Sequence, residues 1–348
     1  MQGHEKIQKS MFGTSPIEDL LPLDHPLRKI RALFDEAYSP LSSAFESSYG
    51  TTGNVSFPPS VLLRAHLLRA LYSIKSERAL CEQITMNAGF RWFVGLDWDD
   101  KVFDHSTLSF NRQRLFGSGA AEALFAEVCV LAKKKHLLDS DRLVVDGTLI
   151  KAWASHKSFE PKDGDGEGGN FKGKKRSNLT HESTTDPDAK LYRKGDSQES
   201  MLCHLGNVII DGVSGFIRAC LVTPPCGLGM SAETHAALEM AREHLDSSQT
   251  LVGDRGYDNE SFVKGLRKLG IQAHPRCKSV HSNLDGRSTS KASYGKSMAC
   301  RFRVEQAFSY IKASGRMRQT QLRGTQKVGW EFTLYSIAFN LQKMAKLC

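Results

Sequence analysis

Long apolar runs are missing from this sequence. No stretch approaches the ~18 to 20 residues that a bilayer-spanning helix needs. The opening Met1-Gln2-Gly3-His4-Glu5-Lys6 lacks the apolar core of a secretory signal. Paired cysteines are missing as well. The eight cysteines are scattered with no C-x-x-C spacing, which argues against a zinc ribbon or a disulfide framework and fits a reducing, cytoplasmic setting. His274-x-x-Cys277 stands alone and reads as incidental. Acid is scarce at the C-terminal end. Between Arg287 and Cys348 only Glu305 and Glu331 stand against twelve Lys and Arg, enough to account for the whole net charge of +9. A charge run is often just a solvated face, but an excess gathered at one end favours a polyanion, with nucleic acid first.

What is present is ordinary in amount and uneven in texture. At 348 residues with 40% hydrophobic and 24% charged content, the chain has room for two domains, each with its own core. Residues 1–138 read as helical. Leu27 to Phe34 form a short amphipathic helix, and Phe57-Pro58-Pro59-Ser60 is a helix start with Ser60 as its cap. Val61, Leu62, Ala65, Leu68, Leu71 and Tyr72 recur at helical spacing, and one further helix is expected over Glu77 to Phe93 with Leu80, Ile84 and Phe93 inward. Arg64, Arg69, Lys75 and Arg78 decorate this pair, which suits either a DNA-binding helix-turn-helix or plain helix packing with solvated charges. Gly95 to Asp100 is an acidic loop lacking the features of a calcium loop. Asp104 or Ser106 caps the next helix, and Ala120 to His136 closes this half.

From residue 139 the pattern becomes mixed. Leu143-Val144-Val145 reads as a strand buried on both faces, ending at Asp146 with Gly147 to turn the backbone. A carboxylate there caps the turn, pairs with a cation or shifts its pKa. Leu149 to Ala154 either continues that strand or forms a second. Residues 156–200 are poor in apolar residues and read as a long mobile loop with a basic knot at Lys172-Gly173-Lys174-Lys175-Arg176. Strands are expected over 202–210, 216–222, 250–254 and 271–274, with helices over 232–245 and from an Asn259 cap to about Leu269. That order describes a mixed sheet with helices on both faces, in the α/β class. In such a sheet Asp146 and Asp254, both at strand ends, face a common crevice.

The segment Arg301 to Lys312 completes the set. At about 100° per residue, Arg301, Glu305 and Lys312 share one stripe, while Val304, Ala307, Phe308 and Ile311 form the adjoining apolar face. Alone this is a surface Arg–Glu pair. With two strand-end aspartates upstream, three like charges call for a divalent counter-charge, and hard oxygen ligands suit Mg²⁺.

Three stretches carry a family resemblance: Val145-Asp146-Gly147-Thr148-Leu149-Ile150-Lys151-Ala152-Trp153-Ala154-Ser155, Asp254-Arg255-Gly256-Tyr257, and Arg301-x3-Glu305-x6-Lys312. Arg91 to Leu96, Phe103 to Thr107, Lys190 to Gly195 and Val328-Gly329-Trp330 add to it. Together they resemble DDE transposases of bacterial insertion sequences, in the family numbered five within the wider group with the Y-R-E-K signature. Two positions depart from that pattern: Met298 stands where the signature has Tyr, and Arg255 where Lys is expected.

The resemblance implies an RNase H-like mixed sheet flanked by helices over 139–348. An all-helical N-terminal domain over 1–138 would bind DNA ends and assemble the complex. It implies that Asp146, Asp254 and Glu305 hold two Mg²⁺ ions, replaceable by Mn²⁺, for cleavage and strand transfer by transesterification. Arg301, Lys312, Lys151, Trp153, Arg255, Tyr257, Lys174, Lys175 and Arg176 become DNA-contact candidates, with Trp153 alternatively a core residue. The implied partners are double-stranded DNA, as terminal inverted repeats and target, and a second copy on paired ends, with no nucleotide cofactor and no membrane. The implied place is the bacterial cytoplasm, at the nucleoid. Two rivals keep parts of this picture: an RNase H-like nuclease without strand transfer, and a captured DNA-binding protein with idle carboxylates.

Overall fold

The computed structural model describes residues 16–43, 56–138, 140–162, 176–193, 199–225 and 231–347. Lys174 and Lys175 of the expected basic knot lie outside these. Contacts group the chain into two compact units, residues 1–137 with 313–316 and 333–348, and residues 138–312 with 317–332. No single helix among the described residues is long and apolar enough to cross a membrane.

The first unit is helical: α1 (Pro26–Tyr38), α2 (Pro59–Tyr72), α3 (Glu77–Met86), α4 (Ala88–Val94), α5 (His105–Gly117) and α6 (Ala120–Lys134). Ser60 is not the cap expected of it. Pro59 takes the first helical position, where a missing N–H costs nothing, and Ser60 is buried one residue further in. The single helix expected over 77–93 is two, because Asn87 ends α3 and its side chain accepts the Phe90 N–H at 3.1 Å to start α4. Asp104 does cap α5, accepting from the Ser106 N–H. Arg64 belongs to the interior, not to a basic face. It is 3% exposed and donates to Val94 O at 3.1 Å and to Asp35 Oδ1 at 2.9 Å. Arg91 is buried too, donating to the carbonyls of Trp98 at 3.0 Å and Asp100 at 2.6 Å. The acidic loop is therefore organised through its backbone oxygens by an arginine.

The second unit contains β1 (Arg142–Lys151), β2 (Phe159–Pro161), β3 (His181–Ser183), β4 (Lys190–Tyr192), β5 (Met201–Asp211), β6 (Ile217–Thr223), α7 (Ala232–His244), β7 (Thr250–Gly253), α8 (Glu260–Lys268), β8 (Gln272–Pro275), α9 (Gly286–Thr289), α10 (Ala292–Cys300) and α11 (Val304–Ala313). A last helix, α12 (Thr325–Leu347), supplies residues to both units. β6, β5 and β1 pair antiparallel in that order, and β7 and β8 continue from β1 in parallel. β4 adds to β5 at Met201 to Cys203. Helices follow β6 and β7, giving the mixed α/β order expected.

Alternation sorts the side chains onto two faces. Leu143, Val145, Ile209 and Leu251 pack with Ala237, Met240 and Ala241 of α7 and with Phe262 and Leu266 of α8. Val144, Val208, Ile210 and Val252, at the alternate positions, are equally buried on the other face. Burial on both faces is why these strands read as continuous apolar runs.

Two expectations change. β1 does not end at Asp146 but runs on to Lys151, held by β5 along its length and by Gln319 at its end. Gly147 is in the strand and turns nothing. The described part of the stretch expected as one mobile loop contains β2, β3 and β4 and the buried Asp186, whose Oδ2 lies 3.0 Å from His204 Nε2 of β5; residues 163–175 and 194–198 of it lie outside the described residues. Asp186 has 0% exposure, and its Oδ1 accepts the Gly324 N–H at 3.1 Å. Burial alone would raise that carboxyl, but the bond and charge of His204 and the N–H groups of Gly324 and Ala189 hold it below its ordinary range.

Leu251 sits at the centre of this core with 0% exposure. Leu251→Ala is expected to cost about 2–5 kcal/mol in urea unfolding. A loss under about 1 kcal/mol would contradict the central place given to β7.

Candidate active site

Two aspartates come together through strand register. β1 and β7 pair in parallel with Arg142 against Thr250, Leu143 against Leu251 and Val144 against Val252. Asp146 and Asp254 each lie two residues beyond the last of these pairs, and Asp254 remains extended at φ −77°, ψ −172°. With a side-chain period of two, both carboxylates leave the sheet on the face of Val144 and Val252. Each is also fixed locally. Asp146 Oδ1 accepts the Gly147 N–H at 2.8 Å, and Asp254 Oδ1 accepts the Gly256 N–H at 2.7 Å. A Cβ at Gly256 would lie 3.0 Å from Asp254 Oδ1, a tight approach.

Tyr257 is the second feature of the site, and its role differs from the expected one. Expected by motif to contact DNA, it is 1% exposed and part of the sheet core. Its ring lies under Gly253, where any Cβ would come within 2.9 Å of the Tyr257 side chain. A residue so covered cannot touch DNA. Burial first, and then the negative charges of Glu233, Asp146 and Asp254, push its phenol well above the ordinary value. The hydroxyl is thus a permanent donor, and it has no hydrogen-bond partner. Its surroundings place Asp146 and Asp254 in one electrostatic neighbourhood with a carboxylate the motif reading passed over.

That carboxylate, Glu233, stands in the first turn of α7. Its Cγ lies 3.0 Å and its Oε1 3.1 Å from where a Cβ on Gly147 would be, and Asn207 Oδ1 is 3.0 Å from the same point. Gly147 therefore exists for close approach. No sequence motif marks Glu233; the available signal is the glycine beside Asp146 in the middle of an apolar strand.

The remaining candidates are dispersed. Arg301 belongs to a short 3-10 turn ahead of α11 and is half-buried. Val304, Ala307, Phe308 and Ile311 are buried as the periodicity requires, leaving Glu305 exposed and Lys312 half-buried. Lys151 and Arg255 are exposed. Trp153 is 50% exposed, so the core alternative for it fails. Arg176 is half-buried and donates to Phe159 O at 3.3 Å. Among the described residues, no three His, Cys, Asp or Glu side chains converge into a ready-made metal cage.

Beside Lys151 the structure adds residues that no motif named. The Lys151 N–H donates to Arg318 O at 3.0 Å, the Thr320 N–H donates to Lys151 O at 3.0 Å, and Gln319 Nε2 donates to Ala152 O at 3.1 Å. Arg318, Gln319 and Arg323 are exposed, so a basic edge continues from Lys151 and Trp153.

Family comparison agrees with this topology. The profile described as Transposase DDE domain matches residues 138–341, more than half of the chain, and one described as Transposase domain (DUF772) matches residues 15–114. No match is found among curated protein sequences. Among solved structures, the piggyBac transposase synaptic complex with hairpin DNA is similar at 9% identity and TM-score 0.42, covering 95% of this chain and 77% of that one. The Mos1 transposase paired-end complex with left transposon end is similar at 10% identity and TM-score 0.21, covering 80% and 87%.

Gly147→Ala should force Glu233 and Asn207 to move and cost about 1–3 kcal/mol in thermal or urea unfolding. Unchanged stability would mean that both side chains yield freely and that the close approach is incidental.

Proposed function

This chain belongs to the transposase DDE-domain family, and we propose that it binds the inverted repeats ending its own mobile element, cleaves there, and joins the ends to target DNA. The finer affiliation, with the insertion sequences numbered five and the Y-R-E-K group, is supported by the stretches around Asp146, Asp254 and Glu305. The observation that carries the reading is the matched position of Asp146 and Asp254 on neighbouring parallel strands.

The donor set fits a hard divalent cation. Magnesium is commonly held by one or two carboxylates, with waters and substrate phosphates completing its shell, so a paired aspartate suffices without a closed cage. Asp146 and Asp254 would hold it, with Glu305 as the third ligand. When bound, two such ions stabilise the attacking and leaving oxygens of in-line displacement at phosphorus.

The chain's own residues orient and exclude. The Gly147 and Gly256 N–H groups fix one oxygen of each aspartate, so both carboxylates meet the DNA in set directions. In the first step a water oxygen bonds to phosphorus and the P–O3′ bond breaks, freeing the 3′-hydroxyl. In the second, that hydroxyl attacks a target phosphodiester and its P–O3′ bond breaks in turn. Neither step uses a covalent enzyme intermediate.

Arg301, Lys312 and Arg255 contact phosphates, and Lys151, Trp153 and Arg318 form a second contact line with an aromatic face for a displaced base. The helical N-terminal unit recognises the element's ends. Two ends must be joined together, so two copies act on one paired complex.

Asp146→Asn, Asp254→Asn and Glu305→Gln are each expected to abolish Mg²⁺-dependent cleavage of terminal-repeat DNA while binding persists. Near-normal cleavage by any one would remove that residue from the site. Scoring joined products beside nicks separates transposition from simple nuclease action. Lys312→Ala and Arg318→Ala should each lower the salt slope of end binding by about one. An unchanged slope rejects the phosphate contact.

A further inference from the structure

Residues 318–323 run beside the end of β1 as a strap, and each end of it is tied down. At the first end the Lys151 N–H donates to Arg318 O and the Thr320 N–H donates to Lys151 O, both at 3.0 Å. Gln319 Nε2 adds a bond to Ala152 O at 3.1 Å. Thr320 is 1% exposed; its hydroxyl donates to Glu331 Oε2 at 3.3 Å and accepts the Leu322 N–H at 3.0 Å. Arg318, Gln319, Gln321 and Arg323 are exposed, so the strap offers basic and amide side chains along its outer side.

The other end is held from far away in the chain. Gly324 turns the strap into α12 at φ +85°, a left-handed conformation that suits glycine. The first amides of a helix have no partner within it. Here Asp186 Oδ1 accepts the Gly324 N–H at 3.1 Å, and Asp188 Oδ2 accepts the Thr325 N–H at 2.8 Å. Both acids lie between β3 and β4, 138 and 137 residues before the amides they bind. Asp186 is fixed in turn by His204 of β5, each with 0% exposure, which anchors this end to the central sheet. A single Ser, Thr, Asp or Asn ahead of the helix would serve as a cap. Two distant carboxylates do more, because they set where the strap ends as well as where the helix begins. A loose strap would have to be ordered on meeting DNA, and that ordering weakens binding.

We propose that Asp186 and Asp188 are positioning residues for DNA contact: by capping α12 they hold the strap in the shape in which Arg318 and Arg323 meet backbone phosphates. The proposal rests on the reading of Lys151, Trp153 and Arg318 as a DNA-contact line.

Binding of the full chain to a mixed-sequence DNA duplex at fixed salt tests it, in variants that separate hydrogen bond from charge. Asp188 is exposed, so its replacement leaves the core intact. Asp188→Asn removes the charge but keeps an acceptor for the Thr325 N–H, whereas Asp188→Ala removes both. Asp188→Ala is expected to bind about two- to ten-fold more weakly than Asp188→Asn, the range of one hydrogen bond. Its Lys151 and Thr320 amides should also exchange faster with solvent, because freeing one end loosens the whole strap. The decisive comparison removes the strap's own charges. With Arg318→Ala and Arg323→Ala already in place, the two Asp188 variants should bind alike, whereas a merely structural role carries the same loss into both backgrounds. Asp186→Ala should act as Asp188→Ala does, and where it does not fold the Asp188 pair decides. Equal binding by the two Asp188 variants with both arginines present, or a difference that survives without them, overturns the positioning role. Unchanged binding and salt slope in the double arginine variant by itself would overturn the contact line and the proposal with it.

Discussion

The parallel pairing of β1 with β7 is the contact on which the second unit depends. Its three register pairs, Arg142–Thr250, Leu143–Leu251 and Val144–Val252, are made, Arg142 apart, of residues almost wholly removed from water. A parallel pair can be stable only where both faces are covered. Leu143 and Leu251 meet α7 and α8 on one side, while Val144 and Val252 are buried on the other. A one-residue slip would exchange the two faces, burying Asp146 and Asp254 among apolar side chains. The packing that stabilises the sheet is therefore also what sets the two acids side by side.

Around that pair, small residues do the shaping. Gly147 admits Glu233 and Asn207, Gly253 admits the Tyr257 ring, and Gly256 closes the turn whose N–H holds Asp254. Each glycine removes a Cβ that would otherwise press on a polar or aromatic group. On the α7 side of the sheet this leaves a covered phenol and a covered amide oxygen, both without partners. Such groups cost stability unless satisfied.

A second buried polar group has the opposite character. Asp186 is fully used, bonded to His204 and to the Gly324 N–H, and Asp188 accepts the Thr325 N–H at 2.8 Å. Thr320 is buried, and its hydroxyl reaches Glu331 Oε2 at 3.3 Å. These bonds fix the two ends of the segment that carries Arg318 and Arg323 beside the end of β1. A basic edge held this way presents its charges with little loss of freedom on meeting a polyanion.

The sequence by itself determined the main strands of the second unit and the helices α7, α8 and α11, because strands buried on both faces and helices with one apolar stripe leave clear periodicities; β2, β3, β4, α9 and α10, which are short, it did not. It singled out Asp146, Asp254 and Glu305 as candidates, and it determined the phase of α11 from Val304, Ala307, Phe308 and Ile311. Local chemistry misled where two local signals competed. Ser60 lost the cap to Pro59, Asn87 split one apparent helix into two, and Gly147 read as a turn although β5 carries β1 past it. Only the tertiary structure decided what lies across the sheet. Tyr257 belongs to the core, Arg64 and Arg91 to the interior, Trp153 to the surface, and Glu233 to the neighbourhood of Asp146. Arg91 apart, whose partners Trp98 and Asp100 are close in the chain, those assignments depend on partners more than ten residues away, for which a single sequence carries no periodic signal. Register between β1 and β7 is a property of the folded sheet, and it alone turned two separate aspartates into a pair.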